Sequence, residues 1–297
     1  MATTSCCPDN SWGDPLEANH ATKSLVGASG ELRYIGHAKD LEIYVSRPAE
    51  EAGQTQKALC VLTDVFGLQS RLFAICDKLA TELQLTVVAL DTFRGETKDK
   101  HLDDFKEWLG SHPFERGSND YSAAIKDDKT PVIYPVKEDI DSCFDFLYET
   151  HNIKSSDVGA VGFCWGVWAM TKASEMNLFR CGVGFHPSIK IESVVFGGDQ
   201  AAIVKRAADN APLLMCVAGN DLDNLKPAQS GELAQIIIAS SQSKHKTDYL
   251  SPAVPRCVEF PQMVHGWVSR GDTSIVKVKK DAEAALNLGV QFLRHWM

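Results

Sequence analysis

The sequence predicts an α/β fold in which a mostly parallel, doubly wound sheet carries helices on both faces. Three observations predict it. Apolar runs of strand length alternate with helical periodicity along most of the 297 residues, the pattern of strands joined by crossover helices. Several of those runs are continuously apolar, as strands buried on both faces must be. The residues with chemical potential, at 64–67, 91–95, 164, 221 and 265, fall where such strands end, which is where open α/β sheets bind ligands.

Taken in order, residues 41–45 (LEIYV) alternate with period two and predict an edge strand. Residues 58–65 form a continuous apolar run, a buried parallel strand, followed by a helix over 69–83. The strand 86–90 (TVVAL) ends in the loop Asp91-Thr92-Phe93-Arg94-Gly95. A short helix is expected over 101–109. Residues 110–130 are rich in Ser, Asp, Gly and Lys and predict a surface excursion able to form a cap. A helix over 137–150 has Ile140, Cys143, Phe144 and Leu147 on one face. A buried strand then starts at 158 and runs into a helix reaching about residue 177. Strands at 181–185, 212–218 and 257–260 and helices at 228–240 and 281–296 complete the pattern, with no internal repeat.

Composition bounds what such a fold does. At 44% hydrophobic and 23% charged, the chain is expected to form one domain over 1–297, with 1–30 as an N-terminal extension. A net charge of -9 with scattered lysines and arginines argues against a nucleic-acid partner. No apolar run reaches the length of a membrane span, and MATTSCCPDN lacks the features of a signal peptide. The expectation is a cytoplasmic protein, monomer or homodimer, with no membrane partner. Nine cysteines spread over strands and helices read as reduced thiols packed as small apolar groups. Cys6-Cys7 has no C-x-x-C spacing or nearby histidine to complete a metal site, so a structural or incidental role is expected.

The most informative stretch is 158–169, VGAVGFCWGVWA. Gly162-Phe163-Cys164-Trp165-Gly166 has the form of a nucleophile elbow, with small residues two before and two after the nucleophile because the strand-to-helix turn is tight. G-x-C-x-G also arises by chance around a buried structural cysteine. Two later strand ends weigh against chance: Gly219-Asn220-Asp221 and Met263-Val264-His265-Gly266-Trp267. The order nucleophile, acid, histidine is that of an α/β-hydrolase. A thiol is mostly protonated at neutral pH, so Cys164 needs a base, and His265 is the candidate. Asp221 would fix the tautomer of that histidine, with Asp223 as competitor in the same loop; Asp221 is favoured as nearer the strand end.

On these residues the chain resembles the dienelactone hydrolase family of α/β-hydrolases, from about residue 41 to 296. The resemblance implies an α/β-hydrolase fold, a Cys164-His265-Asp221 triad and an oxyanion hole from the backbone N–H groups of Trp165 and Val65. It also implies a glutamate before a Phe-Gly, touching the nucleophile thiol; this chain has Asp64 there, one methylene shorter. Arginines holding a substrate carboxylate would correspond to Arg94 and Arg270. From the residues alone, Arg94 either holds an anionic group or forms a surface salt bridge. Trp165 and Trp267, completed by Phe66 and Phe93, form either an apolar pocket wall or ordinary core, and Trp168 reads as core. His186 is expected to shape the pocket floor.

The function expected is a hydrolase cleaving small esters or lactones through an acyl-enzyme on Cys164, with no metal, nucleotide or other cofactor implied. The alternatives are a broad carboxylesterase or thioesterase, and a non-catalytic redox-sensing or binding protein on the same fold.

Overall fold

The computed structural model describes residues 7–8, 10–12, 25–48, 55–117, 132–245 and 254–297. The predicted excursion at 110–130 is therefore described only as far as residue 117, and Cys6 and most of the 1–30 extension lie outside the described residues.

The strands are β1 (Glu31–Ile35), β2 (Leu41–Ser46), β3 (Ala58–Leu62), β4 (Thr86–Leu90), β5 (Val158–Phe163), β6 (Gly182–Phe185), β7 (Leu213–Ala218) and β8 (Arg256–Phe260). They form one sheet in the order β1-β2-β4-β3-β5-β6-β7-β8. β2 pairs antiparallel with β1 and β4, and all the other neighbours are parallel. Every residue of β3, β4, β5 and β7 is buried, which accounts for their continuous apolar sequences.

The seven helices used below are α1 (Ser70–Leu83), α2 (Phe105–Gly110), α3 (Val136–His151), α4 (Trp165–Glu175), α5 (Gln200–Asn210), α6 (Glu232–Ser240) and α7 (Val276–Trp296). Because side chains alternate along a strand, the sheet divides the core in two. One half holds Cys60, Leu62, Ala160, Met215 and Val217 beneath α3, α4, α5 and α6. The other holds Leu59, Val61, Val161, Phe163 and Cys216 beneath α1 and α7. This is the doubly wound architecture of an α/β-hydrolase. No helix among the described residues is long and apolar enough to cross a membrane.

Several boundaries differ from the sequence pattern for local reasons. The run at 58–65 stops pairing at Leu62. Beyond it the Asp64 carboxylate accepts a hydrogen bond from the Phe66 amide at 3.0 Å and Gly67 takes φ +70°, so the chain turns instead of extending. Strand β1 escaped the pattern because it is a largely exposed edge. Helix α5 also escaped it: its buried face, Ile203, Val204, Ala207 and Ala208, is half alanine and gives a weak apolar signal. Its N-cap is Asp199, which accepts from the amides of Ala201 and Ala202 at 2.8 and 3.3 Å, worth about 1 kcal/mol. Helix α6 starts at Glu232, after a 3₁₀ turn over Pro227–Gln229. Helix α7 begins at Val276, more than a turn before residue 281.

Candidate active site

The turn from β5 into α4 fixes the position of Cys164. Its backbone has φ +53° and ψ -111°, a conformation that costs a non-glycine residue roughly 1–3 kcal/mol. The close packing of the elbow demands glycine at both flanks. A Cβ on Gly162 would lie 2.6 Å from the Gly166 carbonyl oxygen, and one on Gly166 would collide with the carbonyl of Leu62. The same closeness sets the first turn of α4 against the loop that follows β3. That loop carries Val65, and among the described residues neither the Val65 nor the Trp165 amide is taken up by a turn or cap hydrogen bond.

His265 and Asp221 come from the loops after β8 and β7. The Nδ1 of His265 lies 2.6 Å from Oδ1 of Asp221, and both side chains are fully buried. A carboxylate only accepts, so the proton sits on Nδ1 and Nε2 faces away from the acid. The backbone on either side is pinned as well: the His265 amide donates to Oδ1 of Asn220 at 2.6 Å, and its carbonyl accepts from the Trp12 amide at 2.9 Å. Burial opposes a charge on His265, but Cys164, Asp221 and Cys7 outweigh it and raise its pKa well above the usual histidine range. Asp223, the competitor, is 75% exposed and pairs with Lys226 at 2.9 Å.

The thiol of Cys164 contacts groups that the sequence did not single out. Its Sγ lies 3.3 Å from Oγ of Ser188 and 3.6 Å from Sγ of Cys7. Cys7, expected to be structural or incidental, is brought beside Cys164 by tertiary packing and not by local spacing. Sγ of Cys7, Sγ of Cys164 and a ring nitrogen of His265 all lie within 4.8 Å of one another.

Other expectations divide. Asp64 is engaged by Ser269, whose Oγ donates to it at 2.8 Å, by the Phe66 amide and by Nε of Arg270 at 3.4 Å. Arg270 is buried and stacks over the Phe66 ring at 4.4 Å. Arg94 is not offered to a pocket. Its guanidinium grips Asp139 of α3 through two hydrogen bonds of 2.7 and 2.8 Å and lies over the Tyr134 ring, so it forms an ion pair, but a largely buried one and not the surface salt bridge expected, and the anion-binding reading is corrected. Nor do Trp165 and Trp267 form one wall, because they belong to opposite halves of the core. Trp165 packs on Phe93 and Trp168, while Trp267 packs on Phe260 and His186. His186 does lie beside the histidine, with ring centroids 4.9 Å apart, and its Nε2 is 3.3 Å from Ser269 Oγ. Burial, followed by the charges of His265 and Arg270, lowers its pKa well below the usual value, so it is a neutral neighbour.

Comparisons with known proteins agree with this architecture. The model of the dienelactone hydrolase family matches residues 41–297. No curated protein matches the chain by sequence. Among solved structures, a dienelactone hydrolase from Klebsiella pneumoniae described as putative superposes with a TM-score of 0.54 at 15% identity, covering 87% of this chain and 98% of its own. Est1E from Butyrivibrio proteoclasticus gives 0.53 at 12% identity, covering 89% and 99%. A dienelactone hydrolase-like promiscuous phosphotriesterase from metagenomic libraries gives 0.51 at 16%, covering 88% and 98%. At these identities the structural likeness concerns the fold.

Proposed function

The chain belongs to the dienelactone hydrolase family, which supports hydrolysis of esters, and on that premise we propose that it cleaves small carboxylic esters or lactones through a thioester on Cys164. The observation that carries this reading is the pairing of His265 with Asp221 at 2.6 Å, beside a cysteine held on a strained elbow.

In this mechanism His265 takes the proton of the Cys164 thiol, and the sulfur forms a bond to the substrate carbonyl carbon. The carbonyl π electrons move to oxygen, whose charge is met by the amides of Trp165 and Val65 and by the positive end of α4. The C–O bond then breaks, and the leaving alkoxide takes the proton from His265. Water attacks the thioester, again through His265, and returns the thiol. The Asp221 carboxylate stabilises each transient imidazolium. Expulsion of a thiolate is easier than that of an alkoxide, so activated esters, enol-lactones and thioesters suit this nucleophile better than amides.

The test is hydrolysis of a dienelactone, short p-nitrophenyl esters and an acyl thioester by wild type and Cys164→Ala. Turnover that disappears in the variant, with one acyl group bound per wild-type chain on rapid quenching, is expected. Equal rates in the two proteins overturn the proposal.

A further inference from the structure

We propose that the thiols of Cys7 and Cys164 and Nε2 of His265 form a binding site for one zinc ion. The site follows from geometry alone and holds whether or not the chain is a hydrolase. Zinc favours thiolate and imidazole ligands in a tetrahedron, with Zn–S near 2.3 Å, so two sulfurs on one ion stand about 3.8 Å apart. The two sulfurs here are already 3.6 Å apart, and the histidine nitrogen lies within 4.8 Å of both.

The histidine is the second, independent observation. Its Nδ1 is committed to Asp221, the carboxylate–histidine arrangement that orients and strengthens an imidazole ligand. Its Nε2 is buried and has no hydrogen-bond partner among the described residues, and a buried nitrogen left so carries a cost that a ligand removes. A thiol–thiol hydrogen bond between Cys7 and Cys164 would satisfy the sulfurs but leave that nitrogen unmet. Zinc meets all three groups together. As the two Zn–S bonds and the Zn–N bond form, the thiols and Nε2 give up to solvent whatever protons they hold, and two thiolates balance the charge of the dication. Ser188, 3.3 Å from the Cys164 sulfur, lines the remaining side. An ion bound here ties up the sulfur that would attack a carbonyl, so the zinc-loaded chain is hydrolytically silent.

The test uses the full chain, stripped of metal and kept reduced by a phosphine, titrated with Zn2+ and then separately with Co2+. One zinc per chain with a dissociation constant in the micromolar range or tighter is expected, and cobalt is expected to show thiolate charge-transfer absorption and tetrahedral ligand-field bands. Cys7→Ser and His265→Gln should each weaken zinc at least tenfold. Two substitutions should leave it unchanged: Cys257→Ser, at a buried thiol on β8, and His101→Gln, in the exposed cluster with Glu96 and Asp104. Wild-type affinity in Cys7→Ser, loss of binding in His101→Gln, or cobalt spectra without thiolate bands would each overturn the site. If Cys7→Ser does not fold, alkylation of the wild type decides: zinc should protect Cys7 and Cys164 together, and protection of neither sinks the proposal.

Discussion

Asp221 and Asp223 stand two residues apart, yet only one has its carboxylate against the histidine. Asp221→Asn keeps the shape of the side chain but no longer holds the Nδ1 proton in place, so kcat should fall roughly a thousandfold or more. Asp223→Asn changes an exposed ion pair and should alter kcat by about twofold at most. Steady-state kinetics of both variants on one ester checks this; equal losses would show that the loop, not the carboxylate, matters. At this scale the sequence shows which residues leave strand ends: Cys164, Asp221 and His265 were readable because each follows an apolar run. It does not show the partners that approach from elsewhere. Ser188 and Ser269 carry no motif, and the commitment of Arg94 to Asp139 joins a loop to a helix 45 residues away. Cys7 carries no local spacing that ties it to residue 164, and only the fold brings the two sulfurs together.

At the scale of elements, the elbow depends on α4 approaching β3 at backbone distance. In Gly166→Ala the new methyl would meet the carbonyls of Leu62 and Thr63, which belong to backbone and cannot rotate aside. The cost should be about 3 kcal/mol, visible as a lower urea midpoint, and an unchanged midpoint would mean that the helix can slide outward freely. A second prediction concerns the segment after α2. His112 is buried against Phe93 and Trp108, with Nδ1 2.9 Å from the Trp108 carbonyl. Burial pushes its pKa down from 6.5 to about 4, with nearby Arg94 and His101 adding to the effect. A base depressed in the fold takes up its proton more readily when unfolded. Stability is therefore full above the unfolded value and declines as pH falls from about 6.5 towards about 4, by up to about 3 kcal/mol. His112→Gln should flatten that window in urea titrations at a series of pH values, and an unchanged slope would move the effect to another group. The absence of α5 from the sequence pattern and the early start of α7 share a cause: alanine-rich or charged turns bury little surface of their own and are ordered by the sheet beneath them.

For the whole molecule, a continuous eight-stranded sheet couples its two core halves through shared strands. Trp165 and Trp168 report on one half and Trp267 on the other. Trp165→Phe and Trp267→Phe variants, each followed by tryptophan fluorescence in urea, should therefore unfold at coincident midpoints relative to their circular dichroism. Separate transitions would divide the chain into independently stable parts. The fold class was readable at this scale because parallel strands buried on both faces leave an unbroken apolar signature, and family membership over 41–297 rests on the same stretch. One consequence of the strand order concerns synthesis. The elbow cysteine leaves the ribosome about a hundred residues ahead of His265, which at roughly 5–20 residues per second is a delay of about 5–20 s. For the first 57 residues of that interval the nascent chain lacks Asp221, and for all of it His265, so the thiol proposed as nucleophile waits without its base until the segment after β8 is translated and docks.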